Sequence, residues 1–476
     1  MLFNSFQFLW LFPLVFVGYY GLSWLLGRDV QGKGSNRLLL LMSYGLYMQW
    51  NAVYGLVLLG VTLATYAGAL AVERFPERKR VVAWMTIGLS LAPLLVFKYY
   101  DFVAENVNNW AGSACMPGLN WAIPIGISFY SFQAVGYLID VYKQRIRAER
   151  NLGDYALFVA FFPQILSGPI SRAADLLPQI KRPRRFCPSK AVQGLKWLLW
   201  GMFLKVVLAD RLGLYVDSVY NNYLYQSGAS CLVASVMYSL QIYGDFAGYS
   251  LMAIGVGRLM GFDLVNNFER PYWAASITEF WRRWHISLTR WLTTYVYIGL
   301  GGNRCSRMRQ YANIMATFLV SGLWHGANWT FVAWGAMHGL LQCLEKALGL
   351  DPKGTLSQTP WLKRLRPFRV VLTFGLVNMA WILFRLPSVE VAGRVLGKIV
   401  RWEGEGVFLP SNSAIVFMAL AILIVLAKEA CEELAPAVQV FNHRNRVVRW
   451  TGYVCVVTLI MLCGVFDAGQ FIYVKF

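Results

Sequence analysis

Four histidines stand in this 476-residue chain, His285, His325, His338 and His443, and two of them interrupt one apolar stretch, SGLWHGANWTFVAWGAMHG (321–339). A neutral imidazole takes a proton from a hydroxyl and hands it on, which is general-base chemistry. Two acids are similarly embedded in apolar sequence: Asp245 in SLQIYGDFAGYS and Asp140 in GYLIDVY. Each can orient a histidine or an arginine, and each can equally cap a helix end. The chain has no GxSxG elbow, no HExxH metal helix and no GxxxxGK[ST] phosphate loop. Any enzyme here therefore works through a histidine base without a sequence-evident nucleophile, and no metal site is expected.

What a buried ring can do depends on the solvent around it. The chain is 57% hydrophobic and 14% charged, with a mean hydropathy of +0.46, whereas soluble domains carry roughly a quarter charged residues. A bilayer-spanning helix needs about 20 mostly apolar residues. Stretches of that kind recur from Phe6 to Phe466, giving about eleven spans or half-spans in an all-α polytopic membrane protein. The first apolar run lacks a preceding basic residue and a small-residue cleavage site, so it does not read as a signal peptide. No soluble domain fits between the spans, and residues 1–476 read as one membrane domain, with a core at roughly 121–345. No internal repeat marks a carrier.

The net charge of +20 sits in loops rather than along one face, which points to the bilayer and not to nucleic acid. The positive-inside rule puts the basic loops at 28–37, 73–80, 143–150, 181–185, 363–369 and 443–449 in the cytoplasm. The connections at 101–120 and 403–413 then face outside, as do both termini. The eight cysteines form no CxxC pair and read as small hydrophobes. Cys187, beside KRPRR, is a palmitoylation candidate.

An ionisable side chain at membrane depth is by default a functional-site hypothesis, and His325 fits that default best. Gly322, Gly326 and Asn328 surround it, so it is expected at membrane depth, at a break between one span over 310–323 and another over 329–347, buried or lining a wet cavity. The competing reading is a core histidine bonded to a backbone carbonyl, with Trp324 and Trp329 as belt aromatics. His285 belongs to SITEFWRRWHISLTRWLTTYVYIGLGGNR (276–304), where Phe280, Trp284, Ser287 and Trp291 form one helical stripe. That pattern predicts a helix lying in the interface, opened by a capping box of Ser276 and Glu279. There His285 meets lipid phosphate or substrate equally well. His338 and His443 suit structural and solvated roles.

Several strings together resemble the membrane-bound O-acyltransferase family, in the branch formed by membrane subunits of bacterial alginate O-acetylation systems. They are MLFNSFQFLWLF, SFYSFQAVGYLIDVY (128–142), FFPQILSGPISRA (161–173), QIYGDFAGYS, ITEFWRRWHISLTRWL, LGGNR, LWHGANWTFVAWGAMHG and FIYVKF, and they run through essentially the whole chain. The resemblance implies that His325 is the essential catalytic histidine and His285 a second functional one. It implies a ring of tilted transmembrane helices around a cytoplasm-facing funnel, in a bacterial inner membrane. It also implies an acyl-thioester co-substrate, acetyl-CoA or an acyl-carrier protein, with no permanently bound cofactor. The acceptor is expected to be a periplasmic esterase-like (SGNH-type) partner or an exported polysaccharide. Trp281, Arg282, Arg283 and Trp284 are then expected to guide the anionic donor, and Trp324 and Asn328 to shape the site. Leu251, Thr294 and Gly299 stand where this branch carries Asp, Asp and Pro. A transporter using the buried His and Asp as a proton or anion path, or a non-catalytic scaffold for an extracellular acetylation complex, are the rival classes.

Overall fold

A computed structural model describes residues 3, 5–25, 33–49, 51–165, 168–435 and 440–466. The expected placement of the termini, most of the basic loop at 28–37 and the closing FIYVKF lie outside the described residues. Among those described, helices are the only regular elements and no strand occurs. Six helical runs are long and apolar enough to cross a bilayer: Ala52–Arg74, Pro76–Ala111, Pro188–Tyr220, Arg366–Arg385, Asn412–Leu434 and Arg446–Cys463. The chain is a multi-pass membrane protein, because only helices satisfy their own backbone hydrogen bonds in lipid without a closed barrel.

The chain divides into two compact units, residues 1–198 with 253–265, and residues 199–252 with 266–476. In the first, the Ile127–Tyr142 helix is buried along nearly its whole length. Its Asp140 is bound by Arg145 at 2.9 Å and Arg172 at 3.6 Å. In the second unit, Asp245 has a lysine partner. Lys205 Nζ reaches Asp245 at 2.7 Å and Asp210 at 2.8 Å, all three buried. Gly201 and Gly248 let the backbones carrying this triad approach closely, since a Cβ on either would lie 2.6–2.7 Å from the other's carbonyl oxygen.

All four histidines belong to the second unit. The Arg307–His325 helix ends at its histidine, and the Trp329–Ala347 helix follows after a three-residue break. These two pack closely because a Cβ at Gly322 would strike the carbonyl of Phe331, and one at Gly335 the carbonyl of Phe318. Asn328 caps the second helix, its side chain accepting from the Thr330 N–H, and its amide donates to the Pro387 carbonyl at 3.0 Å.

The segment at 276–304 departs from a continuous surface helix. It forms two short helices, Ile277–Arg283 and Ile286–Leu292. Ser276 does cap the first, accepting from the Glu279 N–H at 3.0 Å, and Glu279 accepts from the Ala275 N–H. The break falls at His285, whose φ of +44° is left-handed, and the side chains of Phe280, Trp284, Ser287 and Trp291 are all buried. The stripe therefore faces protein on a kinked, inserted segment. Periodicity reports an apolar face, and burial inside a bundle produces the same pattern as lipid.

Candidate functional site

His325 is 2% exposed and His285 0% exposed, and their ring centroids lie 6.5 Å apart at an interplanar angle of 77°. Trp324 packs against both, at 4.9 Å from His325 and 5.7 Å from His285. Trp334 at 4.9 Å and Phe384 at 5.3 Å contact His325, and Phe246 meets His285 edge-on at 4.6 Å.

Hydrogen bonding assigns the tautomer of each ring. His325 Nδ1 lies 2.7 Å from the Ser321 carbonyl oxygen one turn earlier on its helix. A carbonyl only accepts, so Nδ1 carries the proton and the neutral ring has its lone pair on Nε2. His285 Nδ1 lies 3.2 Å from Asn267 Oδ1. That oxygen also accepts from the Ser287 N–H at 3.1 Å and the Ser287 hydroxyl at 3.0 Å, while Asn267 Nδ2 donates to Ser250 Oγ at 3.1 Å. Because the Ser287 N–H can only donate, the amide orientation is settled, and His285 too is protonated at Nδ1 with a basic Nε2. Asn267 is thus the hub that aims His285, and nothing in the local sequence singles it out.

His338 has the opposite tautomer. The Trp281 indole N–H donates to its Nδ1 at 3.3 Å, so its proton sits on Nε2. Stacked on Phe280 and Phe318 and met edge-on by Trp334, it supports the wall behind the pair.

A cavity of about 490 Å³ lies beside the Arg307–His325 helix, and neither His325 nor His285 is part of its lining. Gln310, Ile314, Thr317, Phe318 and Ser321 line it as one stripe of the Arg307–His325 helix, ending one turn before His325. That stripe is about 16 Å long at the helical rise. Trp281 and Arg282 also line the cavity, with Asn303, Lys346 and Lys353 towards the start of the stripe. Its polar groups converge on an otherwise apolar channel, as in pockets that orient a ligand.

The structure distributes the remaining sequence candidates. Arg283 lies apart from this lining: it is bound to Glu279 at 2.7 Å and to Glu433 at 3.0 Å, a cluster that Arg270 and Arg366 join. Trp284 is fully buried against Trp381 at 4.9 Å. Asn328 serves its helix cap, and Asp140 and Asp245 are ion-paired as described above. His443 is in a loop, accepting from the Asn445 N–H at 3.1 Å. Trp334, Trp381 and Phe384 complete the aromatic wall, and only the packed helices reveal them.

Two buried histidines of defined tautomer, close to a cavity with polar lining, are the candidate site, and the sequence comparison assigns the class of the protein. The chain belongs to the MBOAT, membrane-bound O-acyltransferase family, whose pattern matches residues 140–386, a segment holding both histidines of the pair. It is an O-acyltransferase. In particular, it is 40% identical over 405 residues to the "Probable alginate O-acetylase AlgI" of Pseudomonas putida, covering 83% of this chain and 80% of that protein. It is 34% identical over 457 residues to the "Peptidoglycan O-acetyltransferase" of Helicobacter pylori, covering 88% and 83%. A more distant relative is the "Teichoic acid D-alanyltransferase" of Streptococcus thermophilus, 29% identical over 291 residues, covering 55% and 68%.

Proposed function

We propose that this chain moves an acetyl group from a cytoplasmic thioester, acetyl-CoA or an acyl-carrier protein, across a bacterial inner membrane to an exported polysaccharide. The acceptor hydroxyl is on the polymer itself or on a periplasmic esterase-like partner that passes the group on. The observation that carries this reading is the stripe from Gln310 to Ser321, which runs from a basic end to the residue whose carbonyl accepts from the His325 ring. That end carries Lys346 and Lys353 with Asp351, and Arg282 also lines the cavity, a net positive lining that suits an anionic donor. Lys353 also precedes the basic 363–369 loop, which the positive-inside rule assigns to the cytoplasm. His325 lies at the other end of its helix, next to the break at 326–328, where a hydroxyl from the outer side can approach. The alginate and peptidoglycan acetylases among the relatives support acetyl as the group and a glycan as the acceptor. A bundle of about eleven spans around a cytoplasmic funnel accommodates this path.

In the reaction, His325 Nε2 takes the proton of the acceptor hydroxyl as its oxygen attacks the thioester carbonyl carbon. The tetrahedral intermediate collapses, the carbon–sulfur bond breaks, and the proton held on Nε2 passes to the departing thiolate. The Ser321 carbonyl fixes the tautomer that makes this possible. His285, aimed by Asn267, supports the donor end of the transfer.

The test is NMR of purified exported polymer from cells carrying wild type, His325→Ala or no copy, at matched membrane levels. Ester signals absent equally from the last two support acyl transfer through His325. Esters retained with His325→Ala but lost on deletion make the chain a scaffold and sink the mechanism.

A further inference from the structure

The His325 base accounts for the proton, but the negative charge that develops on the thioester carbonyl oxygen also needs a partner. In a site sealed from water, a donor already in place for that charge is worth far more than in solution. Ser321 has the required chemistry. It is 2% exposed and lines the cavity at the end of the stripe nearest His325. Its hydroxyl has no hydrogen-bond partner among the described residues. A buried hydroxyl is seldom left unsatisfied, because losing its hydrogen bonds costs about 1–3 kcal/mol. Serine inside a helix ordinarily resolves this by donating to the carbonyl four residues back, as Thr317 does to Asn313 at 2.7 Å on this same helix. Ser321 does not.

Its position relative to the base is fixed by the helix itself. Residues four apart share a face, and the Ser321 carbonyl already accepts from the His325 ring. The one residue therefore presents its carbonyl to the base, while its buried hydroxyl, beside the cavity and one turn from the ring, has no partner among the described residues.

We propose that Ser321 is a catalytic residue whose hydroxyl donates a hydrogen bond to the thioester carbonyl oxygen of the bound acyl donor. This rests on the acyl-transfer reading of His325. As the acceptor oxygen bonds to the carbonyl carbon and its proton moves to His325 Nε2, the electron pair displaced from the C=O bond localises on that oxygen. The Ser321 O–H stabilises it there. The pair returns to re-form C=O as the thiolate leaves with the proton from His325, and Ser321 keeps its own proton throughout.

The experiment compares wild type, Ser321→Ala, Ser321→Thr and His325→Ala in the full chain. It is run in cells at expression levels where polymer ester content scales with the amount of wild-type protein. The initial rate of ester appearance is followed by NMR and normalised to membrane level. Ser321→Ala is expected to lower the rate about a hundredfold, in line with loss of one oxyanion donor. Ser321→Thr keeps the hydroxyl and is expected to stay within about tenfold of wild type. A wild-type rate for Ser321→Ala overturns the proposal, and so does an equal fall for Ala and Thr, which would mark Ser321 as a packing residue. Esters persisting with His325→Ala would instead overturn the acyl-transfer reading on which the proposal stands.

Discussion

At His285 the backbone adopts a φ of +44°, a conformation that costs a non-glycine residue of order 1–3 kcal/mol and persists only where the surroundings impose it. Here the imposing group is Asn267, whose backbone carbonyl accepts from the Ile286 N–H at 2.9 Å and whose side chain binds both His285 and Ser287. Asn267→Ala removes the acceptor shared by three donors, the His285 Nδ1–H, the Ser287 N–H and the Ser287 hydroxyl, at about 1–3 kcal/mol for each that is left unsatisfied. The expected result is a clearly lower unfolding temperature in detergent together with lost ester formation; an unchanged melting curve would count against the hub. The neighbouring arginines separate by role in the same way. Arg282 lines the cavity whereas Arg283 is held between Glu279 and Glu433. Arg282→Ala should raise the apparent KM for donor and flatten its salt dependence, at near-normal stability. Arg283→Ala should do the reverse, because it takes the shared cation from two partly buried carboxylates and leaves them only Arg270 and Arg366. Identical kinetic and stability profiles for the two variants would refute the division.

Two helices do most of the positioning, and they meet through glycine. The Arg307–His325 and Trp329–Ala347 helices approach so closely at Gly322 and Gly335 that a methyl group has nowhere to go, each position facing a backbone carbonyl of the other helix. Backbone cannot move aside as a flexible side chain can. Gly335→Ala should therefore force the pair apart at a cost of about 1–3 kcal/mol. The shift would also move His325 relative to His285, and distances of this kind govern rate steeply. The measurement is paired: thermal stability of the purified chain, and ester content of the polymer. Wild-type values in both would mean that the two helices are not held at the separation observed.

At the scale of the whole molecule, the positive-inside rule predicts a direction in the bilayer, with basic loops on one side and the 403–413 connection on the other. Two native cysteines read it out. Cys115 is exposed in the 101–120 connection and Cys187 follows the basic 181–185 segment. In spheroplasts expressing single-cysteine variants, a membrane-impermeant maleimide should label Cys115, and should reach Cys187 only after permeabilisation. Labelling of both from outside would invert or break the assigned topology. The proposed reaction uses that orientation, with the Gln310 end of the cavity towards the donor, so a reversed result would also reverse the proposed direction of transfer.

The membrane class, the helical break around 326–328 and the prominence of His325 and His285 were all determined by sequence. Each is a local property: apolar length, glycine spacing, and the rarity of a titratable ring in an apolar run. What tertiary structure alone decided depends on atoms distant along the chain. Asn267 stands 18 residues before the ring it aims. Glu433, which takes Arg283 out of the cavity lining, lies 150 residues after it. The kink at His285 was hidden because a buried stripe and a lipid-facing stripe have the same period. Ser321 needed the fold for another reason. A serine one turn before a histidine is unremarkable until packing leaves its buried hydroxyl with no hydrogen-bond partner among the described residues.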